Sequence, residues 1–413
     1  MDPIRTLDAG LPTDIPRRLC GLLGAALLGW TLAGCDSASP TLTPAPTVAP
    51  TLAPTVAATA MVSAPAAATA IPPPATATLL PATATVAAVV NPTGAATTTG
   101  GAPTTAGGAG TFQNPVLQDD FADPFVLHVG PTYYAYATNG SGKNIQRAKS
   151  PDLVHWELLN DALPALPAWA QLGGSYVWAP EVLPVGDHYV MYYTARDQQS
   201  DKQCIGVAVG ATPDGRFKDS NDHPFICEPD QGGDIDPDAF RDGDKQYLYW
   251  KNDGNCCGLT THIYGQELSA DGLRLVGDKP TALVENDQLW EGRVVEAPTM
   301  VKHGTGYYLF FSGNDYAGIP YAVGYALCKT ALGPCQEAAD NPVLKSRVQA
   351  PPVIGPGHQT VVQVGDQTWL VYHAWEMVGG LRGDRRFLWL DRVTWEGDKP
   401  HVHGPTVDAQ PMP

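Results

Sequence analysis

Basic side chains are scarce in this chain: 25 Lys and Arg stand against 42 Asp and Glu, for a net charge of −17. A surface so negative repels phosphate backbones, which excludes a nucleic-acid partner. Charged residues of both signs make up only 16% of the sequence, against roughly 25% in an average soluble domain. Long apolar runs are missing too. None reaches the ~20 residues of a spanning helix apart from a borderline stretch, Leu19 to Leu32, near the N-terminus. The most complete absence falls on residues 36–110, which contain no aromatic residue and a single charged one, Asp36. A segment of Ala, Thr, Pro, Val and Gly cannot bury enough apolar surface to offset the entropy of ordering it. That excludes a folded domain there and predicts a disordered linker of roughly 50 Å mean end-to-end distance.

What is present begins with an address. Arg17-Arg18 precede the apolar run, which ends in Leu32-Ala33-Gly34-Cys35. A basic flank, a short apolar core and small residues before a cut site predict a secretory signal over 1–35. The four residues resemble a bacterial lipobox, which implies cleavage before Cys35 and lipidation of its thiol. The chain is thus expected to be an exported cell-envelope lipoprotein or a secreted protein, touching a membrane only through that lipid.

Residues 111–413 carry the periodicity of a folded domain. One pattern, an apolar run, a Gly-containing turn and an aromatic run, starts at Asp123, Ala179, Asp236, Glu296 and His358, at spacings of 56, 57, 60 and 62 residues. The first copy reads Asp123-Pro-Phe-Val-Leu followed by Tyr133-Tyr134-Ala-Tyr136, and the fourth reads Glu296-Ala-Pro-Thr-Met followed by Tyr307-Tyr308-Leu-Phe310-Phe311. Each reads as a β-hairpin around a tight turn. Five copies of several strands at such a period predict an all-β, five-bladed β-propeller. In a propeller the first strand of each blade lines the channel, so the repeat starts converge at one mouth. Asp123, Asp236 and Glu296 are read as sharing one phase, with His358 as a fourth polar start. Three carboxylates around a sugar-sized cavity suit glycoside hydrolysis, which needs an acid for the leaving oxygen and a second carboxylate to activate water or attack. A third can hold the acid and raise its pKa by like-charge repulsion.

The motifs Asn114-Pro-Val-Leu with Asp123-Pro124, Trp178-Ala-Pro-Glu, Ile235-Asp236-Pro237, Glu296-Ala-Pro and Gly355-Pro-Gly-His358, in this order and at blade spacing, resemble glycoside hydrolase family 43. The resemblance implies a five-bladed propeller and an inverting mechanism, with Asp123 as general base, Glu296 as general acid and Asp236 orienting the acid. Glu291 is a rival acid but lacks the following Ala-Pro. His358 matches a histidine that in several members helps hold a calcium or sodium ion in the central channel. No cofactor is required by the reading. Arg386 matches a substrate-facing arginine of the last blade. Trp178, Trp290 and Trp375, near strand ends at the mouth, are candidates to stack on sugar faces. His401-Val-His403 has a metal-like spacing but reads as surface.

Six cysteines fall in the propeller. Cys328 and Cys335 flank a turn and are expected to pair, and Cys204 with Cys227 is the next simplest bridge. Cys256-Cys257 either close on each other as a rigid apolar knob beside a furanose, bond separately to Cys204 and Cys227, or stay as free thiols. The expected activity is release of L-arabinofuranose or xylose from arabinan or arabinoxylan by a monomeric enzyme. The alternatives are an endo-1,5-arabinanase on the same scaffold and a non-catalytic carbohydrate-binding propeller.

Overall fold

The structure, a computed structural model, describes residues 110–173 and 176–413. The predicted signal, Cys35 and the linker up to residue 109 lie outside the described residues.

The described residues form six antiparallel sheets, five of them in chain order as blades and the sixth a two-stranded pair. Blade 1 comprises Phe125–Val129, Thr132–Ala137, Gln146–Ser150 and Glu157–Leu158, and blade 2 comprises Val177–Val185, His188–Arg196 and Gln203–Gly210. Blade 3 runs Asp234–Asp242, Lys245–Asn252, His262–Leu268 and Leu275–Glu285. Blade 4 runs Val295–His303, Gly306–Gly313, Ala322–Cys328 and Cys335–Glu337, with Leu344–Lys345 also on its third strand. Blade 5 runs Ile354–Val364, Gln367–Val378, Leu381–Glu396 and Lys399–Val402. Each inner strand packs against the inner strand of the next blade, and the fifth packs against the first. That closed ring is the predicted five-bladed propeller. Among the described residues there is no α-helix, only three short 3₁₀ turns.

The aromatic doublets of the second strands follow from this closure. A blade between two others is buried on both faces, so alternate residues of its strands both need apolar side chains. Tyr193 points into the cluster shared with blade 1, and Tyr192 into the cluster shared with Leu248 and Trp250 of blade 3. Phe311 faces blade 3 and Phe310 faces blade 5. Each such buried side chain contributes about 1.5–3 kcal/mol by burial. The ring is sealed by the N-terminal segment: Thr111–Phe112 pairs with Gln410–Pro411. Asn114 also donates to the Leu390 carbonyl and accepts from its amide, both at 2.9 Å. The Asn-Pro-Val-Leu motif is therefore a closure device.

The inner strands share one backbone feature. Asp123, Ala179, Asp236, Ala297 and His358 all have positive φ, between 44° and 57°. This region is unfavourable for residues with a Cβ. The register of the inner strand slips at this point in blades 2, 3, 4 and 5. Four of the five are followed by proline, which needs no ladder partner at such a bulge. The true repeat register is thus 123, 179, 236, 297 and 358. This corrects the expected phase: Glu296 stands one residue ahead of it, in the position that Trp178 occupies in blade 2.

Candidate active site

A cavity of about 470 Å³ opens at the channel mouth, lined among others by Asp123, Trp178, Asp236, Lys251, Glu296, Tyr316, His358 and Arg386. The expected convergence of repeat starts is what the fold produces. The loops after the second strands contribute Asn139, Asp253, Asn255 and Cys256 to the same wall.

The backbone that holds these side chains is built by a repeated capping bond. The second-strand residue opposite the bulge reaches forward and accepts the amide of the bulge residue in the next blade. Thr138 Oγ1 accepts from Ala179 N (3.0 Å), Thr194 Oγ1 from Asp236 N (3.3 Å) and Ser312 Oγ from His358 N (2.9 Å). His373 Nδ1 accepts from Asp123 N (3.2 Å), closing the circle. The joint from blade 3 to blade 4 breaks the pattern. Its capping position is Lys251, opposite Ile235, and an ammonium accepts nothing. Instead Asp236 Oδ2 accepts from Ala297 N at 3.0 Å. Asp236 therefore fixes the backbone that carries Glu296, in line with the orienting role expected for it. Lys251, released from capping, donates to Glu296 Oε2 at 3.0 Å and is only 1% exposed.

Charge is distributed unequally across the cavity. Asp123 Oδ1 pairs with Arg386 (2.7 Å) and faces His358 Nδ1 (3.4 Å), while its Oδ2 accepts from Thr138 Oγ1 (2.5 Å). Burial alone would raise this carboxyl, but Arg386 and then His358 more than offset it and hold it well below the usual range. Burial pushes His373 down to about 4, helped by Arg386, so it is neutral and its Nδ1 is free to accept the Asp123 amide. Asp236 is the reverse case: burial first, and the nearby Glu296, lift it to about 6 against the pull of His358 and Lys251. Glu296 is also buried, yet Lys251 and a 2.7 Å hydrogen bond from Tyr321 lower its pKa. The expectation that like-charge repulsion raises the acid itself is thus corrected. The raised proton affinity rests on Asp236, because Glu296 holds the ammonium.

Two of the three tryptophans expected at the mouth are elsewhere. Trp290 packs on Phe311 in blade 4, with ring centroids 5.5 Å apart, as blade filler. Trp375 is 8% exposed, and its Nε1 donates to the Tyr316 carbonyl at 2.8 Å. It supports Tyr316, the exposed aromatic that does line the cavity and over which the Arg386 guanidinium sits at 5.1 Å. Glu291 is fully buried below a 3₁₀ turn, bonded to the Gln288 amide, and is no rival to Glu296. His401 and His403 lie at the outer edge, near Glu396 and Thr394. Residues the sequence reading passed over are Lys251, Tyr321, His373, Thr138 and Tyr316. Aligning the second strands on one another would have exposed Lys251 as a cation in a row of Thr, Thr, Ser and His.

Cys204–Cys227, Cys256–Cys257 and Cys328–Cys335 are bonded. The adjacent pair closes on itself, and the alternative of two separate staples to Cys204 and Cys227 does not occur. For an ion at His358, the fit is poor. The void beneath the site, flanked by His358, Glu181 and Asp238, holds about 20 Å³, room for one water. Among the described residues no three His, Cys, Asp or Glu ligand atoms gather around His358.

The family model for glycosyl hydrolases family 43 matches residues 112–400. The chain belongs to that family. It is 29% identical over 264 residues to an extracellular endo-α-(1→5)-L-arabinanase of Thermotoga petrophila, covering 51% of this chain and 50% of that one. It is 29% identical to a xylan 1,3-β-xylosidase of a Vibrio species, covering 64% and 49%. An extracellular exo-α-(1→5)-L-arabinofuranosidase of Cellvibrio japonicus is 23% identical, covering 71% of this chain and 89% of that protein. The chain spans about half the length of the first two. Among solved structures, a thermostable family-43 glycoside hydrolase aligns with a TM-score of 0.66 and 33% identity, over 73% of this chain and 99% of that one.

Proposed function

We propose that this chain is an inverting exo-glycosidase that releases L-arabinofuranose or xylose from arabinan or arabinoxylan outside the cell. The observation that carries the reading is the asymmetry of two carboxylates lining one cavity. Asp123 is held ionised by Arg386 and His358, whereas Glu296 shares its surroundings with the proton-binding Asp236. An ionised carboxylate can take a proton from an attacking water, and a protonated one can give its proton to the leaving oxygen. An uncharged sugar entering the cavity displaces water and raises the proton affinity of both buried acids. Glu296 then becomes the donor, with Lys251 and Tyr321 stabilising the carboxylate it leaves. Trp178 and Tyr316 offer aromatic faces for the sugar.

Exo action is supported by the size of the cavity, about 470 Å³, toward the small end of ligand clefts. Export is supported by the word extracellular in two relatives' names. The arabinanase relative favours a second reading, an endo-1,5-arabinanase. Nitrophenyl arabinofuranoside, nitrophenyl xyloside and debranched arabinan, assayed in parallel, separate them. Release of monosaccharide from the small substrates, with no early fall in arabinan chain length, supports the exo reading. Rapid chain shortening with inert nitrophenyl substrates sinks it. Inversion is checked by NMR of the first-formed anomer.

A further inference from the structure

Away from the channel, the carboxylates of Asp287, Glu291 and Glu337 bring one oxygen each within 4.8 Å of one another. We propose that this cluster is a calcium site that clamps the entry of blade 4 to its own outer strand. Three acidic groups so close repel strongly in a partly buried setting unless a cation or protons sit between them. No Lys, Arg or His is ion-paired with any of the three among the described residues. Every other feature of the cluster is ordered for ligation. Glu291 is 0% exposed, and its Oε2 is taken by the Gln288 amide at 2.8 Å. Its Oε1 and Glu337 Oε2 are buried with no N–H or O–H donor beside them, and the two carboxyls lie within hydrogen-bond reach of each other, close enough to share a proton or a cation. Glu337 closes the short strand Cys335–Glu337, which the Cys328–Cys335 bridge ties to its neighbour. Asp287 is exposed and accepts from Gln288 Nε2 at 2.7 Å, leaving one side open to solvent.

The donor set selects the ion. Three carboxylates with no nitrogen or thiolate suit a hard cation and not zinc or copper. An exposed Asp, with its open side to water, suits the adaptable shell of calcium better than the strict octahedron of magnesium. The site neighbours Trp290 in sequence, which provides an optical probe.

The test uses the full chain, stripped with chelator and desalted. Calcium titration by calorimetry, and terbium luminescence excited through tryptophan, are run on the wild type, E337Q and D287N at neutral pH. At a hundredfold excess of calcium over Kd the wild type gains roughly 5 °C in Tm, and the variants gain less than half of that. The wild type also binds one more terbium than E337Q. An equal Tm gain in wild type and E337Q places the calcium elsewhere and overturns the proposal. Absence of calcium binding overturns it as well. So does a metal-free E337Q that melts higher than the wild type while calcium changes neither, since the cluster is then satisfied by shared protons.

Discussion

Four of the five joints between blades are alike, and the one that differs joins two of the three candidate carboxylates, Asp236 and Glu296. At the regular joints a Thr, Ser or neutral His accepts the amide of the next bulge. At the joint between blades 3 and 4 the acceptor is replaced by Lys251, and the catalytic candidate Asp236 takes over the capping bond. Glu296 is likewise the one candidate carboxylate out of phase with the bulges, which lets it meet that lysine. A repeat holds a scaffold together with interchangeable bonds. A departure from it at a buried, charged position marks where the fold is used.

The largest expected effect tests the two ends of the charge asymmetry. Asp123→Ala and Glu296→Ala should each lower kcat by roughly 10³-fold or more, as loss of a positioned base or acid does. Circular dichroism should be unchanged. A variant that keeps a tenth of wild-type activity would remove that residue from the reaction.

Next comes the broken joint against a regular one. Lys251→Met removes the ammonium that lowers Glu296, so the upper limb of the kcat/KM profile should move to higher pH. The plateau kcat should fall roughly tenfold because a weaker acid donates less readily. Asp236→Asn should move the same limb the other way, since it removes the negative neighbour of Glu296. Thr194→Val, at a regular joint, should leave the limb in place and cost about 1–3 kcal/mol of stability through an unpaired amide. A shift in the Thr194 variant, or none in the Lys251 variant, would erase the distinction.

How much of this was legible beforehand can be judged residue by residue. The five blades were, because aromatic doublets at even spacing are what two-sided burial demands. Asp123, Asp236, Glu296 and Arg386 were, because they sit in local motifs. Lys251 and Tyr321 were not, because what marks them is a bond to Glu296, made from the neighbouring blade by Lys251 and from 25 residues away in the same blade by Tyr321, and no local pattern encodes either. Gly357 shows the link: a side chain there would collide with the Tyr321 ring, so the Gly355-Pro-Gly-His358 motif is partly a seat for that tyrosine. Trp290 and Trp375 misled for the converse reason. A tryptophan near a strand end looks the same whether it faces the cavity or the neighbouring blade.

A smaller effect concerns stability. Burial raises Asp234 and Asp238 to about 7, and Asp236 and Asp391 to about 6. A carboxyl with a raised folded pKa binds more protons folded than unfolded between the two values, so its contribution falls as pH rises through that window. Tm should therefore decline from about pH 4 to about pH 7. Asp123, lowered in the fold, works oppositely but only in more acid solution. A melting curve that rises steadily from acid to neutral pH would contradict these directions.

The smallest effect belongs to the cavity wall. Cys256 lines the cavity beside Asn255 and Asp253, the bonded pair is exposed, and Lys202 Nζ lies 3.0 Å from Cys257 Sγ. The pair therefore presents sulfur, an apolar surface, on the same face as the carboxylates. A sugar ring covering roughly 40 Å² of it gains about 1 kcal/mol at 25 cal/mol per Å². That contact is made in ground and transition state alike, so its loss should raise KM and leave kcat alone. Replacing both residues with serine should raise KM about fivefold, the tenfold-per-1.4 kcal/mol scale applied to that contact. Peptide mapping without reductant should first show a tryptic peptide holding both cysteines, two hydrogens light and cross-linked to nothing else. A fall in kcat at constant KM would mean that the pair shapes the loop around Asp253 and does not touch the sugar.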